Sequence, residues 1–252
     1  MSNAAVSKVS LLEKKPMAYV IASVLAGAFI GIGVLLMSTV GAYGAGTPYI
    51  KLVMGLVFSA ALSLVVFAGA ELFTGNNMVI MAGVLKGKSS WAQLAKLWIV
   101  CFLANWVGSI LMALLFVGTG LADSDVGVFM ANASATKMAI PAGALICRGI
   151  LCNFLVCLAV WCGFKCRNEV AKLIMILWCI TAFVTCGGEH CVANMTMLTV
   201  GILKASSLGV AGVSMGGYFY NILVAAIGNI IAGTLCVALP YYLIAKDKAD
   251  EK

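Results

Sequence analysis

Six long apolar runs, separated by short polar breaks, constrain the fold of this chain more than any other feature. The runs cover residues 17–40, 51–85, 91–119, 140–164, 170–203 and 215–245. Stretches of about 20 apolar residues are long enough to cross the hydrocarbon core of a bilayer as helices. Hydrophobic residues make up 63% of the chain and charged residues 10%, whereas soluble domains are about half apolar and a quarter charged. The sequence therefore predicts an all-α integral membrane protein with six transmembrane helices.

The charges at the ends of the runs predict the orientation of the chain. Most basic residues would lie on one side of the membrane: Lys8, Lys14, Lys15, Lys86, Lys88, Lys165, Arg167, Lys172, Lys246 and Lys248. The opposite loops hold Lys51, Lys137 and Lys204. The positive-inside rule then predicts cytoplasmic termini, 1–16 and 246–252, in the cytoplasmic (inner) membrane. The net charge of +7 fits this topology, and no basic face with interleaved aromatics indicates nucleic-acid binding.

Two of the runs are too long to cross the bilayer as straight helices. The segment from Lys51 to Lys86 would extend roughly 52 Å at about 1.5 Å per residue, whereas the hydrocarbon core is about 30 Å thick. The run before Lys204 has the same excess. Both runs contain polar residues and glycines at their centres, so the second and fifth helices are predicted to break there. The first run is predicted to be a retained helix, because it exceeds the apolar region of about 7–15 residues in a signal peptide.

The two interrupted runs share one sequence pattern. "AGAELFTGNNMVIMAGVLK" (68–86) aligns without gaps to "CGGEHCVANMTMLTVGILK" (186–204). The pattern pairs Gly69 with Gly187, Glu71 with Glu189, and Asn76 with Asn194. A weaker similarity relates "ANWVGSIL" (104–111) to "GNIIAGTL" (228–235). A single transmembrane domain, 1–252, is therefore predicted, built from two three-helix repeats over approximately 17–119 and 140–245. Because three spans is an odd number, the second repeat would be inverted.

The residues at the predicted breaks suit a permeation site near the middle of the membrane. Gly69 and Gly187 permit a turn, and the paired asparagines can cap the resumed half-helices. Glu71 and Glu189 can accept hydrogen bonds from amides that the breaks release. A direct role in carrying protons is the alternative for these two glutamates. A half-helix N-terminus that points to the midplane favours an anion.

The motifs "AGAELFTGN" (68–76) and "GGEHCVANM" (187–195) resemble the paired signatures of the formate/nitrite transporter family, and the resemblance covers all six spans. It implies an aquaporin-like protomer, assembly as a homopentamer, and conduction through each protomer. It also implies a channel or transporter for small monovalent weak-acid anions, namely formate, nitrite or hydrosulfide. The motifs "FTGNNM" and "ANMT" favour nitrite or hydrosulfide slightly over formate.

The resemblance also assigns site residues. The substrate pathway would contain His190, Thr74, Asn153 and Lys137. The apolar constrictions would be formed by Leu62, Leu72, Phe73 and Phe183. Two positions depart from the family pattern: Gly188 replaces an aromatic residue before the Glu-His pair, and Cys191 replaces a serine after it. These departures affect pore width and polarity, and hence substrate preference.

His190 is the only histidine in the chain. An ionisable residue inside a membrane segment is a candidate for function, although a satisfied structural role is the alternative. A bare anion is costly to move through an apolar constriction, whereas the neutral conjugate acid is not. An imidazole, with an ordinary pKa near 6.5, can exchange that proton or hold the anion. The hypothesis is that His190 acts as a proton relay or an electrostatic gate.

Other functions find less support in the sequence. An aquaporin-like channel for neutral solutes is the main alternative, but both Asn-Pro-Ala signatures of that class are absent. Cys186, His190 and Cys191 are soft metal ligands, but adjacent residues do not share a helical face, so neither a metal nor another cofactor is predicted. The remaining cysteines lie mostly in predicted spans, where cysteine acts as a small apolar residue. An enzyme is not predicted, since the chain lacks a nucleotide-binding glycine motif and a second histidine.

Overall fold

The computed structural model describes residues 1–250, with side chains described through residue 246. Lys248 and most of the predicted cytoplasmic segment 246–252 thus have no described side chains. Within these limits the chain is helical and has no strand. The α-helices are α1 (Ser2–Lys14), α2 (Pro16–Tyr43), α3 (Ile50–Phe67), α4 (Phe73–Leu85), α5 (Trp91–Gly118), α6 (Asp125–Met138), α7 (Ala142–Lys165), α8 (Glu169–Thr185), α9 (Cys191–Lys204), α10 (Met215–Ile231) and α11 (Leu239–Asp250). A 3₁₀ turn, Leu121–Asp123, precedes α6, and a π-helical segment, Ala232–Ala238, joins α10 to α11.

Five helical segments are long and apolar enough to cross a membrane: Pro16–Tyr43, Ile50–Phe67, Trp91–Gly118, Ala142–Lys165 and Met215–Lys246. Large apolar side chains such as Ile99, Leu115 and Trp178 are exposed on the outside of the molecule. In water such a surface would be costly, whereas in a bilayer it contacts lipid. The prediction of an all-helical protein with several apolar spans is confirmed.

The second and fifth predicted runs are each occupied by two helices. In the second run, α3 ends at Phe67 and α4 begins at Phe73. In the fifth, α8 ends at Thr185 and α9 begins at Cys191. We call residues 68–72 the first break and residues 186–190 the second break. Both α4 and α9 are apolar helices too short to cross a bilayer alone.

Two helices lie where the sequence predicts only polar segments. The segment between the runs 91–119 and 140–164 is predicted as a polar break, but α6 occupies most of it and packs against α9 and α2. In the predicted N-terminal segment, α1 packs against α4 and buries Ala5, Val9 and Leu12. Both helices bury one face and leave the other polar, so neither contains the long apolar run that marks a span.

Close helix crossings bring α5 and α10 to the two breaks. α2 and α5 approach so closely that a Cβ at Gly27 would overlap the backbone of Asn105, and one at Gly108 would overlap Val24. α7 and α10 cross in the same way at Gly149 and Gly228. Glycine permits this backbone contact because it has no side chain. The crossings place polar residues of α5 and α10 within hydrogen-bonding distance of the breaks.

Candidate functional site

The two breaks have the same backbone conformation. Gly69 has φ +77° and Gly187 has φ +78°, in the left-handed region that favours glycine. The next amide after each glycine bonds back to the preceding helix, from Ala70 to the Val65 carbonyl at 2.9 Å and from Gly188 to the Phe183 carbonyl at 2.8 Å. The last residue of each break, Leu72 or His190, has an extended backbone, and the half-helix begins at the next residue. The shared turn explains the paired glycines of the sequence pattern.

Replacing Gly69 or Gly187 with alanine is expected to lower the free energy of unfolding by about 1–2 kcal/mol, because an L-residue is strained at this φ. The loss reflects backbone strain alone, since no atom lies within 4 Å of an added Cβ at either position. Thermal unfolding of the purified protein in detergent measures it. Gly143→Ala, in helix α7 and also without neighbours within 4 Å, is the control and should not destabilise. Equal effects at all three positions would contradict the explanation.

One asparagine holds each break from a neighbouring helix. Asn105 of α5 accepts a hydrogen bond from the Phe73 amide (2.9 Å) and donates to the carbonyls of Ser23 (2.7 Å) and Glu71 (2.9 Å). Sequence reasoning missed this role, although the weaker similarity between 104–111 and 228–235 aligns Asn105 with Asn229.

Asn229 of α10 makes the corresponding bonds at the second break. It accepts from the Cys191 amide (3.0 Å) and donates to the carbonyls of Gly149 (2.8 Å) and Glu189 (3.0 Å). Asn105 and Asn229 are both fully buried. The contacts to the amides of Phe73 and Cys191 and to the carbonyls of Glu71 and Glu189 satisfy backbone groups that the interruption of each helix would otherwise leave unpaired.

Each glutamate of the pattern is bound by one lysine and one asparagine. Glu71 accepts from Lys8 Nζ at 2.6 and 2.7 Å and from Asn76 Nδ2 at 2.9 Å. The lysine belongs to α1, and its contact with Glu71 is a second one that sequence reasoning missed.

The second break repeats this arrangement. Glu189 accepts from Lys137 Nζ at 2.7 Å and from Asn194 Nδ2 at 2.7 Å. Lys137 lies on α6, so the two helices absent from the sequence-based prediction each provide a cation to one break.

His190, the last residue of the second break, contacts Thr74 in the first turn of α4, two residues after the first break. His190 Nε2 lies 3.0 Å from Thr74 Oγ1, and both residues are buried. His190 Nδ1 accepts a hydrogen bond from the Ala193 amide at 3.2 Å and so caps α9. Because Nδ1 is an acceptor, this bonding pattern assigns the proton of the neutral ring to Nε2, which donates to Thr74. The imidazole also stacks on Phe183, with ring centroids 6.2 Å apart.

Asn153 lies beside this contact on α7. Its Nδ2 donates to the carbonyls of Thr74 (3.2 Å) and Asn229 (2.6 Å). Its Oδ1 is buried and has no hydrogen-bond partner among the described residues. A free acceptor therefore remains beside the Thr74 backbone.

Two cavities approach the His190–Thr74 contact. The Lys137 cavity, of about 190 Å³, is lined by residues that include Lys137, Phe58, Phe183 and His190. The Lys8 cavity, of about 420 Å³, is lined by residues that include Lys8, Leu62, Leu72 and Gly75. Leu72 and Gly75, which line the Lys8 cavity, lie two residues before and one residue after Thr74 in the chain, and His190 lines the Lys137 cavity. Each cavity contains one lysine–glutamate pair.

Three of the four predicted constriction residues line one of the two cavities, and the fourth does not. Leu62 and Leu72 line the Lys8 cavity and Phe183 lines the Lys137 cavity. Phe73 lines neither, and packs instead on Phe102 of α5 with ring centroids 4.9 Å apart. Phe58, which the sequence-based assignment omitted, contacts Phe183 edge to face at 6.0 Å. The sequence feature that could have identified Phe58 is its spacing from Leu62, since the two residues lie one helical turn apart on the same face of α3. Within the described residues, no group of three or more histidine, cysteine or acidic side chains could hold a metal ion.

Comparisons with known proteins agree with this architecture. Residues 1–243 match the sequence model of the formate/nitrite transporter family. The nitrite transporter NirC of Salmonella typhimurium is 37% identical over 239 residues, covering 92% of this chain and 85% of that protein. A solved FNT family ion channel superposes with a TM-score of 0.88 at 33% identity, covering 96% of both chains. A pentameric formate channel with formate bound superposes with a TM-score of 0.82 at 29% identity, covering 92% of this chain and 98% of that one. The chain therefore belongs to the formate/nitrite transporter family, whose channels and transporters are multi-pass membrane proteins.

Proposed function

We propose that the protein conducts a small monovalent weak-acid anion (nitrite, hydrosulfide or formate) across the cytoplasmic membrane. The observation that carries this proposal is the buried contact between His190 and Thr74: His190 lines the Lys137 cavity, and Leu72 and Gly75, close to Thr74 in the chain, line the Lys8 cavity. The path runs from the Lys137 cavity past this contact to the Lys8 cavity. The named relatives, a nitrite transporter and a formate channel, support this class of substrate.

The proposed topology has six spans in two inverted repeats, 17–119 and 140–245, with both termini in the cytoplasm and an aquaporin-like protomer. The matched turns at Gly69 and Gly187 and the matched asparagines Asn105 and Asn229 support the repeat. α3 with α4 forms the second span, and α8 with α9 forms the fifth. A homopentamer is proposed because a solved relative is described as a pentameric formate channel.

Passage through the centre of the protein requires loss of water from the substrate. Leu62 and Leu72 on one side and Phe183 on the other are apolar constrictions, where a bare charge is costly and the neutral conjugate acid is not. Thr74 and Asn153 provide hydrogen-bonding groups between them. Low dielectric near the site favours protonation of the anion, since burial disfavours the charged form of an acid.

The bonding of His190 limits how it takes part. A proton on Nδ1 would face the Ala193 amide and disrupt the cap of α9, since two donors cannot share one hydrogen bond. The Nε2–H, which donates to Thr74 in this structure, is therefore the donor that the anion engages when it replaces Thr74 as the acceptor. In the electrostatic-gate form of the proposal, the ring remains neutral. In the proton-relay form, Nδ1 becomes protonated and its hydrogen bond with the Ala193 amide is lost, and the interaction of the charged ring with the arriving anion compensates that loss.

His190→Asn is the variant that tests this role, because asparagine preserves a helix-capping acceptor while removing the titratable ring. Stopped-flow uptake into proteoliposomes is measured across pH for nitrite, hydrosulfide, formate, chloride and glycerol. We expect the wild-type protein to conduct the weak-acid anions and exclude glycerol. The variant is expected to fold normally and to take up the weak-acid anions more slowly, and in the proton-relay form it also loses most of the pH dependence of uptake.

Cys186→Ser, at an exposed position in the same break, is the matched control and should retain the wild-type pH profile. Passage of glycerol or water alone in the wild-type protein would instead establish a neutral-solute channel. An unchanged pH profile in folded His190→Asn would exclude the proton-relay form, and an unchanged rate of anion uptake would remove the histidine from the mechanism.

A further inference from the structure

The Lys137 cavity has an excess of positive charge that the lysine–glutamate pair does not account for. Three cations line it, Lys51, Lys137 and Arg148, with Glu189 as the one acidic residue of the lining. Lys137 is bound to Glu189 at 2.7 Å, so their charges largely compensate. No ion pair or side-chain hydrogen bond is found for Lys51 or Arg148 among the described side chains. The charge that an approaching anion encounters therefore comes from these two residues.

The backbone of Arg148 is hydrogen-bonded to the second break, beside the candidate pathway. It lies on α7, and its carbonyl accepts the Glu189 amide at 3.1 Å, one residue before His190. The next residue, Gly149, is bound through its carbonyl to Asn229 at 2.8 Å. The backbone of Arg148 is thus fixed to the second break, while its side chain is exposed in the cavity that His190 also lines.

The guanidinium of arginine differs from the ammonium of lysine in geometry. Its planar set of donors matches two oxygens on one centre and binds them in a bidentate manner, whereas an ammonium acts as a point charge. Formate and nitrite each present two equivalent oxygens in one plane. Hydrosulfide and chloride present a single atom. An arginine side chain without a partner in the Lys137 cavity can therefore distinguish between anions of equal charge.

We propose that Arg148 determines specificity by recruiting planar two-oxygen anions, the chemical class of formate and nitrite, into the Lys137 cavity. Lys51 adds attraction for any anion without this preference. The inference rests on the proposed conduction of weak-acid anions and specifies which of them the Lys137 cavity favours.

Three variants separate the geometry of Arg148 from its charge. Arg148→Lys retains the charge but removes the planar set of donors. Arg148→Gln removes both the charge and the planar donors, and Lys51→Gln removes a charge elsewhere in the same cavity. Concentration-dependent uptake of nitrite, formate and hydrosulfide is measured in proteoliposomes at a mildly alkaline pH, where all three are mostly anions. Size-exclusion chromatography verifies that each variant assembles as the wild-type protein does.

Arg148→Lys is expected to raise the KM for nitrite and formate about fivefold and to leave that for hydrosulfide unchanged, since one charge-assisted hydrogen bond is lost. Arg148→Gln is expected to raise the KM for all three, and most for the two-oxygen anions. Lys51→Gln is expected to raise all three by one common factor.

An unchanged ratio of nitrite to hydrosulfide KM in assembled Arg148→Lys would overturn the inference, as would an unchanged KM for every anion in Arg148→Gln. If the wild-type protein conducts none of the anions, the proposed function itself fails. That outcome is distinct, because it appears before any variant is compared.

Discussion

Asn105→Leu is expected to lower the free energy of unfolding by about 3 kcal/mol, because one buried amide loses its partner, at a cost of about 1–3 kcal/mol, and two buried carbonyls each lose one donor. These groups are the Phe73 amide and the carbonyls of Ser23 and Glu71, all within 2.9 Å of the asparagine side chain. Leucine has a similar volume, so the change creates little cavity. Thermal and denaturant unfolding of the detergent-solubilised protein measure the effect.

Asn229→Leu is expected to have a similar effect at the second break, where the amide of Cys191 and the carbonyl of Glu189 lose their asparagine partner and the Gly149 carbonyl, inside α7, loses an additional donor. Asn105→Asp retains the acceptor for Phe73 but not the two donors, so its loss of stability should be intermediate only if its carboxyl is protonated.

Asn132→Leu provides the matched control for both variants. Asn132 is exposed on α6 and donates only to the Val128 carbonyl of its own helix. Surface substitutions of this kind change stability by about 0.5 kcal/mol or less. If Asn105→Leu were no more destabilising than Asn132→Leu, the asparagine would not be what holds the first break.

The length of an apolar run is a strong signal, and it was sufficient to predict the spans that α2, α5 and α7 provide. The same criterion could not find α1 and α6, because each helix is shorter than a span and combines a buried face with polar residues. Their importance is apparent only in three dimensions, where Lys8 and Lys137 contact Glu71 and Glu189. From the sequence, both lysines are interpreted as topology charges, and the resemblance adds Lys137 to the substrate pathway.

Contacts between distant segments account for the rest of what the sequence did not reveal. The resemblance placed Thr74 and His190 in one substrate pathway, but their separation of 3.0 Å depends on how α4 and α9 meet. The weaker internal similarity aligned Asn105 with Asn229 without indicating that each reaches a break. That role requires the close crossings at Gly27 and Gly149, which a linear pattern does not encode.

Glu189→Ala is expected to lower the free energy of unfolding by about 3 kcal/mol, because removing one partner of a buried ion pair leaves an uncompensated charge. The Glu189 side chain is 5% exposed and that of Lys137 is 21% exposed, with 2.7 Å between their charged atoms. Asn194 loses its carboxylate acceptor as well. Adding Lys137→Met to Glu189→Ala should recover part of the loss, since the unpaired charge is then removed.

The exposed pair Glu169–Lys172 is the control for ion pairing. Its charged atoms lie 2.8 Å apart, but the Glu169 side chain is 64% exposed. Exposed pairs contribute about 0–1 kcal/mol, so Glu169→Ala should have little effect on stability. A similar loss from both alanine variants would contradict the role assigned to burial at Glu189.

Glu189→Gln distinguishes the structural role of this glutamate from a proton-carrying one. Glutamine retains an acceptor for Asn194 and has nearly the same shape, but it cannot exchange a proton. If the glutamate only holds the break and its lysine, the variant loses stability, while the pH profile of anion uptake in proteoliposomes keeps its wild-type shape. A flattened profile in a folded Glu189→Gln protein would assign proton transfer to Glu189, and His190 would then no longer be the sole titratable group required along the path.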